Sequence, residues 1–257
     1  MARLEGPDLV SALGAVEELA TIARRDRASS DAVIAVWCDH LRRDPALRDE
    51  RVARAVQHRL CAHLKRVARP GLVRGRATTA IDLSDTQLHN LDLDGITIGE
   101  LSLVRARLTG TTRLSLQSWG GLDATEAYFG GDVLAGDVSV ERRLSLRAAT
   151  IDGSLDLSAS AVFGELDLSA SEVAERTSLR HLVGGTLRLR GIDRAALFGG
   201  HVDLSHAIAD PVLLDGDEFT AGVTITPNTT EEPTRLVGDE TDLAEQVREA
   251  LEAPLRV

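Results

Sequence analysis

Six aliphatic residues, Leu83, Leu88, Leu93, Ile98, Leu103 and Leu108, keep a spacing of five. Neither an α-helix (period 3.6) nor a flat strand (period 2) gathers every fifth residue on one face of one element. A ribbon that turns a corner about every five residues does so. Each wall sends one large side chain inward, and stacked turns bury a continuous column. The spacing therefore predicts a β-solenoid. Such folds commonly act as binding surfaces or struts, which directs attention to what the walls touch.

A second inward position lies two residues before each ladder member. Ile81, Leu91 and Leu101 alternate there with Thr86, Ile96 and Ala106, which are mostly smaller. After Leu108 the register slips, around Gly110 to Gly121, and then resumes as pairs: Leu144-Leu146, Leu155-Leu157, Leu166-Leu168, Leu187-Leu189, Val202-Leu204, Val212-Leu214 and Val223-Ile225. Ile151, Val162, Val173, Ile208 and Phe219 stand midway between pairs and are expected to point inward. Trp119, Tyr128 and Phe129 fall at the slip, where they read either as a plug for a wider interior or as a contact point. The paired glycines 120–121, 130–131, 184–185 and 199–200 sit at repeat corners and serve tight turns. About seven turns of roughly 21 residues, at a strand spacing of about 4.8 Å, give a rod somewhat over 30 Å long.

The repeats Ile81-Asp82-Leu83-Ser84-Asp85, Leu91-Asp92-Leu93-Asp94-Gly95, Leu155-Asp156-Leu157-Ser158-Ala159, Leu166-Asp167-Leu168-Ser169-Ala170 and Val202-Asp203-Leu204-Ser205-His206 resemble the pentapeptide-repeat family. Its pattern is a small residue, Asp or Asn, Leu or Phe, and two polar residues. The first position here is Leu, Ile or Val, where the family prefers Ala. The resemblance implies a mainly β fold, a right-handed, quadrilateral β-helix. A generic parallel β-helix is the structural alternative. The stretches 13–20 and 31–38 are similar to a helical segment that precedes the repeats in some actinobacterial members.

Three amphipathic helices are expected ahead of the repeat, over 8–27, from Ser30 or Asp31 as N-cap to about 43, and over 47–68. The expected organisation is a helical N-terminal cap region over 1–77, the β-helix over 78–226, and a loop with a C-terminal helix over 227–257. The stretch 226–238 reads as a loop. The last helix carries Leu243, Val247 and Leu251 on one stripe. Capping the solenoid and a homodimer contact both fit that stripe, and certain DNA-mimicking relatives pair through C-terminal helices.

The net charge of −11 is unevenly placed. Residues 1–77 hold 15 Arg and Lys against 10 Asp and Glu, residues 78–225 hold 11 against 22, and residues 226–257 hold 3 against 8. The acidity belongs to the repeat and the tail. Asp82, Asp92, Asp156, Asp167 and Asp203 each lie between two inward residues, so they point outward and are candidate partner-binding positions. The same placement suits a corner, where the carboxylate bonds nearby backbone N–H groups. The resemblance adds a sharper possibility. Some members of the family mimic DNA and bind type II topoisomerases such as gyrase, since rows of carboxylates attract a basic, phosphate-binding groove. The Arg residues 142, 143, 147, 188, 190 and 194 break such rows.

No phosphate loop opens a helix after a strand, and no nucleophile stands with a base. Cys38, His40, His58, Cys61 and His63 lack the paired spacing of a zinc site. The chain is expected to be non-catalytic, without cofactor or metal, and to hold a basic protein partner on its acidic walls. Direct nucleic-acid contact on the repeat is not expected. A β-helix enzyme acting on a polysaccharide is a further alternative, which would need an acidic pair in a cleft. No run of eighteen apolar residues and no signal-like N-terminus is present, so a cytoplasmic location without membrane contact is expected.

Overall fold

The computed structural model describes residues 9–43, 49–67, 79–189, 196–209, 212–213, 223–225 and 234–236. Parallel strands wind into a β-solenoid, preceded by three helices. Each turn visits four walls. The first wall stacks Ala80–Asp82, Glu100–Ser102, Leu122–Asp123, Arg143–Ser145, 165–167, 186–188 and Val212–Leu213. The second stacks Gln87–His89, Arg107–Thr109, Tyr128–Gly130, Thr150–Ile151, Glu172–Val173 and Leu197–Phe198. The third begins at Asp92 against Arg113 and continues through Val133–Leu134, Leu155–Asp156, Thr177–Ser178, Val202–Asp203 and Val223–Ile225. The fourth stacks Thr97–Ile98, Gln117–Ser118, Ser139–Val140, 161–162 and 183–184. First-wall partners lie 20, 21, 22, 22 and 21 residues apart between Ile81 and Leu187.

The ladder residues are the interior. Leu83, Leu93, Ile98, Leu103 and Leu108 are 0% exposed and Leu88 is 3%. The second set is buried with them, including Thr86, whose hydroxyl donates to the Leu83 carbonyl at 2.6 Å. Corners follow from local chemistry. After the first and third walls the chain makes a turn with an i+3 to i bond, as in Ala106 N to Leu103 O at 3.0 Å and Ser171 N to Leu168 O at 3.1 Å. The third turn residue has positive φ at Arg105, Glu126, Ala148, Ala159, Ala170, His181 and His206, as a type II turn requires. The other two corners rely on glycine for close approach. A Cβ on Gly164 would stand 1.7 Å from the Arg142 carbonyl oxygen, and one on Gly131 2.7 Å from that of Gly110.

The helices are α1 (Leu9–Ile22), α2 (Arg27–Arg42) and α3 (Glu50–Val67). The second starts earlier than its sequence suggests. Asp26 is the N-cap, accepting the Ser29 N–H at 2.8 Å, while Ser30 is buried inside the first turn of α2 and its hydroxyl meets His63 Nε2 at 2.6 Å. Asp49 accepts the Arg51 N–H at 2.7 Å at the start of α3. Val16, Ile34, Trp37, Leu41, Val56, Leu60 and Leu64 are buried in one cluster continuous with the solenoid interior.

That continuity arises because α2 and α3 sit on the first turn. An unpaired strand edge exposes a row of N–H and C=O groups that need partners. Gln57 supplies both kinds: its Nε2 donates to the His89 carbonyl at 2.7 Å and its Oε1 accepts the His89 N–H at 3.2 Å. Arg42 pairs with Asp82 and Lys65 with Asp92. At the far end Val223–Ile225 also pairs antiparallel with Thr234–Leu236. Part of the stretch expected to be a loop is therefore a strand, which returns alongside the third wall. The C-terminal stripe Leu243, Val247 and Leu251, together with Phe219 and Leu214, lies outside the described residues.

Candidate interaction walls

The outward carboxylates divide between two walls on opposite sides of the coil. On the first wall the column reads Asp82, Ser102, Asp123, Ser145, Asp167, Arg188. On the third it reads Asp92, Arg113, Leu134, Asp156, Ser178, Asp203. Asp82 and Asp167 thus share one face, and Asp92, Asp156 and Asp203 share the other. Neither column is an unbroken row of charge.

Each of these carboxylates is first a turn-former. Asp82, Asp92, Asp156, Asp167 and Asp203 accept the N–H two residues on, from Ser84, Asp94, Ser158, Ser169 and Ser205, at 2.9 to 3.1 Å. This leaves one oxygen for other work, and cations take it at most positions. Arg143 pairs with Asp167 and Glu165, and Arg188 with Glu165. Arg176 and Arg180 lie 3.4 and 3.7 Å from Asp203. Asp167 and Asp203 are only 2% and 8% exposed, so little of them is available to a partner. Asp156 is half-buried and has no ion pair among the described residues. It opens onto a shallow groove lined by Asp132, Leu134, Ser154, Arg176, Arg180 and His181.

The end cap shifts the first-turn acids. Burial opposes the ionisation of Asp82, but the Ser84 hydrogen bonds and the Arg42 charge outweigh it and hold the carboxyl below its ordinary range. The same balance holds Asp92 low, through Lys65 and the Asp94 N–H. Asp85, at the corner, is lowered by Arg105, which binds it with two bonds of 2.7 and 2.9 Å.

Cys38 and Cys61 face this first turn, and burial pushes their thiols up to about 12 and about 11. His63 is buried and T-stacked on Trp37, with ring centroids 5.8 Å apart. Among the described residues no three His, Cys, Asp or Glu side chains gather to hold a metal ion. None of the described helices is long and apolar enough to cross a membrane.

The aromatic residues at the slip divide. Phe129 is 0% exposed and fills the interior. Tyr128 stands outside, with its hydroxyl on Asp152 and the Arg107 guanidinium 4.8 Å above its ring. Trp119 also stands outside and is 42% exposed, so it plugs nothing. The residue before it, Ser118, is the inward one, with its hydroxyl satisfied by the carbonyls of Gly99 and Gly121 at 3.1 Å. Ile208 likewise faces out, between buried Ala207 and Ala209. Both residues lie on the fourth wall, whose outward column reads Gln117, Ser139, Ala161, Val183 and Ile208. Two residues further along the chain, on the same outward side, come Trp119, Glu141 and Phe163. Sequence reasoning passed over Phe163 and Val183. The signal was present for Val183 in its small inward neighbour Gly184, and for Phe163 in its alternation with the inward Val162.

No family model, curated protein or solved structure matches the chain.

Proposed function

We propose that the protein is a non-catalytic binding or scaffold protein that holds a protein partner on the outer walls of its solenoid. The observation that carries this reading is the closed interior. Aliphatic side chains fill it from wall to wall, so the faces of the rod are what the fold has to offer a partner. The walls also differ in character: the first and third are polar and charge-paired, and the fourth is largely uncharged. Repeat rods generally use such extended faces for recognition.

A duplex mimic acting on gyrase would gain from continuous negative rows. The Ser, Arg and Leu interleaved with the aspartates, and the cations bound to them, give that reading less support. The decisive experiment is capture from native lysate by immobilised wild-type protein and by two outward double variants, Asp132→Asn with Asp156→Asn on the third wall and Phe163→Ser with Val183→Ser on the fourth. The reading predicts a protein retained by the wild type and lost with one of the two variants. Retention of nothing above bare resin would refute it. A supercoiling assay adds the second arm. Gyrase should be unaffected at any dose, and inhibition that disappears with the third-wall variant would put the mimic in its place.

A further inference from the structure

The fourth wall departs from the rule that governs the other three. Trp119 is 42%, Phe163 60% and Val183 47% exposed, and they are the large hydrophobic residues exposed on the described solenoid. All three lie on this wall or its margin, with Ala161 and Ile208 between and beyond them. Phe163, Ala161, Val183 and Ile208 form an apolar patch, with Trp119 two rungs from Phe163 across Ser139 and Glu141. Exposed apolar groups gathered on an otherwise polar surface mark an interaction site.

Its rim is acidic on balance, three carboxylates against Arg142, which is exposed and follows Glu141 at the corner beside Gly164. Glu141 stands between Trp119 and Phe163, Asp137 turns the corner before the wall, and Glu100 lies beyond it beside Gly120. All three are exposed, and none forms an ion pair among the described residues. On the first wall, by contrast, Asp82, Glu165 and Asp167 are bound by Arg42, Arg143 and Arg188, although Glu100 and Asp123 of that wall form no ion pair among the described residues. Unpaired carboxylates around an apolar strip favour a partner with positive charge. They disfavour a second copy of this chain, which would bring the same acidic rim and a net charge of −11 face to face.

The backbone narrows the choice further. Strands 117–118, 139–140 and 161–162 are paired on both sides, so no free edge is available for an added strand. Side chains alone must make the contact. Trp119 and Phe163 are two rungs apart, about 10 Å along the rod. Residues i and i+7 on one face of an α-helix are separated by about 10.5 Å, which matches that step.

We propose that the fourth wall docks an amphipathic helix of a protein partner, lying along the rod, with its apolar stripe on Trp119, Phe163 and Val183 and Lys or Arg residues flanking the stripe at Glu141 and Asp137. This rests on the reading of the protein as a wall-binding rod and names the partner's chemistry. The test titrates the full-length protein with two synthetic 18-residue helical peptides that share a leucine stripe, one flanked by Lys and the other by Glu. Trp37 is 0% exposed, so a change in tryptophan emission reports Trp119, and Trp119→Phe should abolish it.

The Lys peptide is expected to blue-shift the emission saturably. Phe163→Ser with Val183→Ser should weaken it at least tenfold, and Glu141→Gln with Asp137→Asn severalfold. The Glu peptide should not bind. Hydrogen-exchange protection should be confined to the strands around 117–119, 139–141, 161–163 and 183–184. The proposal is overturned by an unshifted emission, by equal binding of both peptides, or by affinity indifferent to Phe163→Ser with Val183→Ser. Sedimentation showing a dimer that already buries Trp119 would overturn it too. If lysate capture is lost only with the third-wall variant, the docking helix is refuted and the wall-binding function stands.

Discussion

Buried hydroxyls carry different costs according to their partners. Thr112 and Thr177 point into the interior from the third wall, both 0% exposed, and their Oγ1 atoms have no hydrogen-bond partner among the described residues. A buried unsatisfied hydroxyl costs about 1 to 3 kcal/mol. Thr112→Val and Thr177→Val keep the shape and remove the oxygen, so each should raise unfolding stability by about 1 kcal/mol in chemical denaturation. Thr86→Val should not gain, because the Thr86 hydroxyl is already satisfied.

His63 supplies a pH dependence. Burial, Arg66 and Arg24 lower its pKa below the ordinary 6.5, against a smaller opposing pull from Asp31. Arg66 lies 2.9 Å from Nδ1, which must accept that bond, and this leaves the proton on Nε2 facing Ser30. The neutral ring is the folded form. Stability is full above 6.5 and falls as pH drops from 6.5 toward the lowered folded value, since the unfolded chain takes up the proton first. Thermal melting at pH 7.5 and 5.5 should show the loss in the wild type and a smaller loss in His63→Gln. A second loss, from Asp82, Asp85 and Asp92, begins only below about 3.8.

At the scale of the element, one aspartate position performs two tasks with unequal consequences. Asp156 and Asp167 cap the same kind of turn, but Asp167 is also buried against Arg143. Asp156→Ala should cost about 1 kcal/mol, the worth of the turn bond, whereas Asp167→Ala should cost somewhat more, about 1 to 2 kcal/mol, because it also removes the ion pair with Arg143, which is half exposed and keeps Glu165. Equal costs in denaturant titration would show that the ion pair contributes nothing. Ala170 makes the corner beside it with φ of 57°. Ala170→Val should destabilise by about 1 to 2 kcal/mol, since a β-branched side chain tolerates that region poorly.

Sequence legibility also varied by element. The ladder from Leu83 to Leu108 was readable because every wall there puts a large aliphatic group inside at the fifth position. Between 112 and 118 the chain lacks a positive-φ corner residue, and Thr112, Leu114, Leu116 and Ser118 alternate inward without a break, which hid the five-residue step. Trp119 and Ile208 misled for a related reason. Their inward neighbours are small, so hydrophobicity alone set Ile208 inward and left Trp119 open between plug and contact point. The early start of α2 was hidden because Ser30 resembles a cap but is taken by His63, a contact 33 residues distant.

For the whole molecule, the rod and its helical cap share one apolar cluster, so the two should unfold together. Gln57→Ala removes the side chain that closes the His89 edge, and it should speed exchange of the His89 amide before it lowers global stability. The two natural thiols set up a direct test of the architecture. Cys38 and Cys61 are raised to about 12 and about 11 by burial and should resist labelling in the native protein.

With the labelling of the wild-type protein subtracted, since Cys61 is only half-buried, single cysteines at Leu93, Leu103 and Leu166 can be compared with cysteines at Arg107, Ser139 and Ser158 for their rate of thiol labelling under native conditions. The stacked interior predicts that the first three react only through unfolding, orders of magnitude more slowly than the second three. Comparable rates in both sets, with folding confirmed by circular dichroism, would place the leucines in solvent and contradict the solenoid and the docking walls built on it.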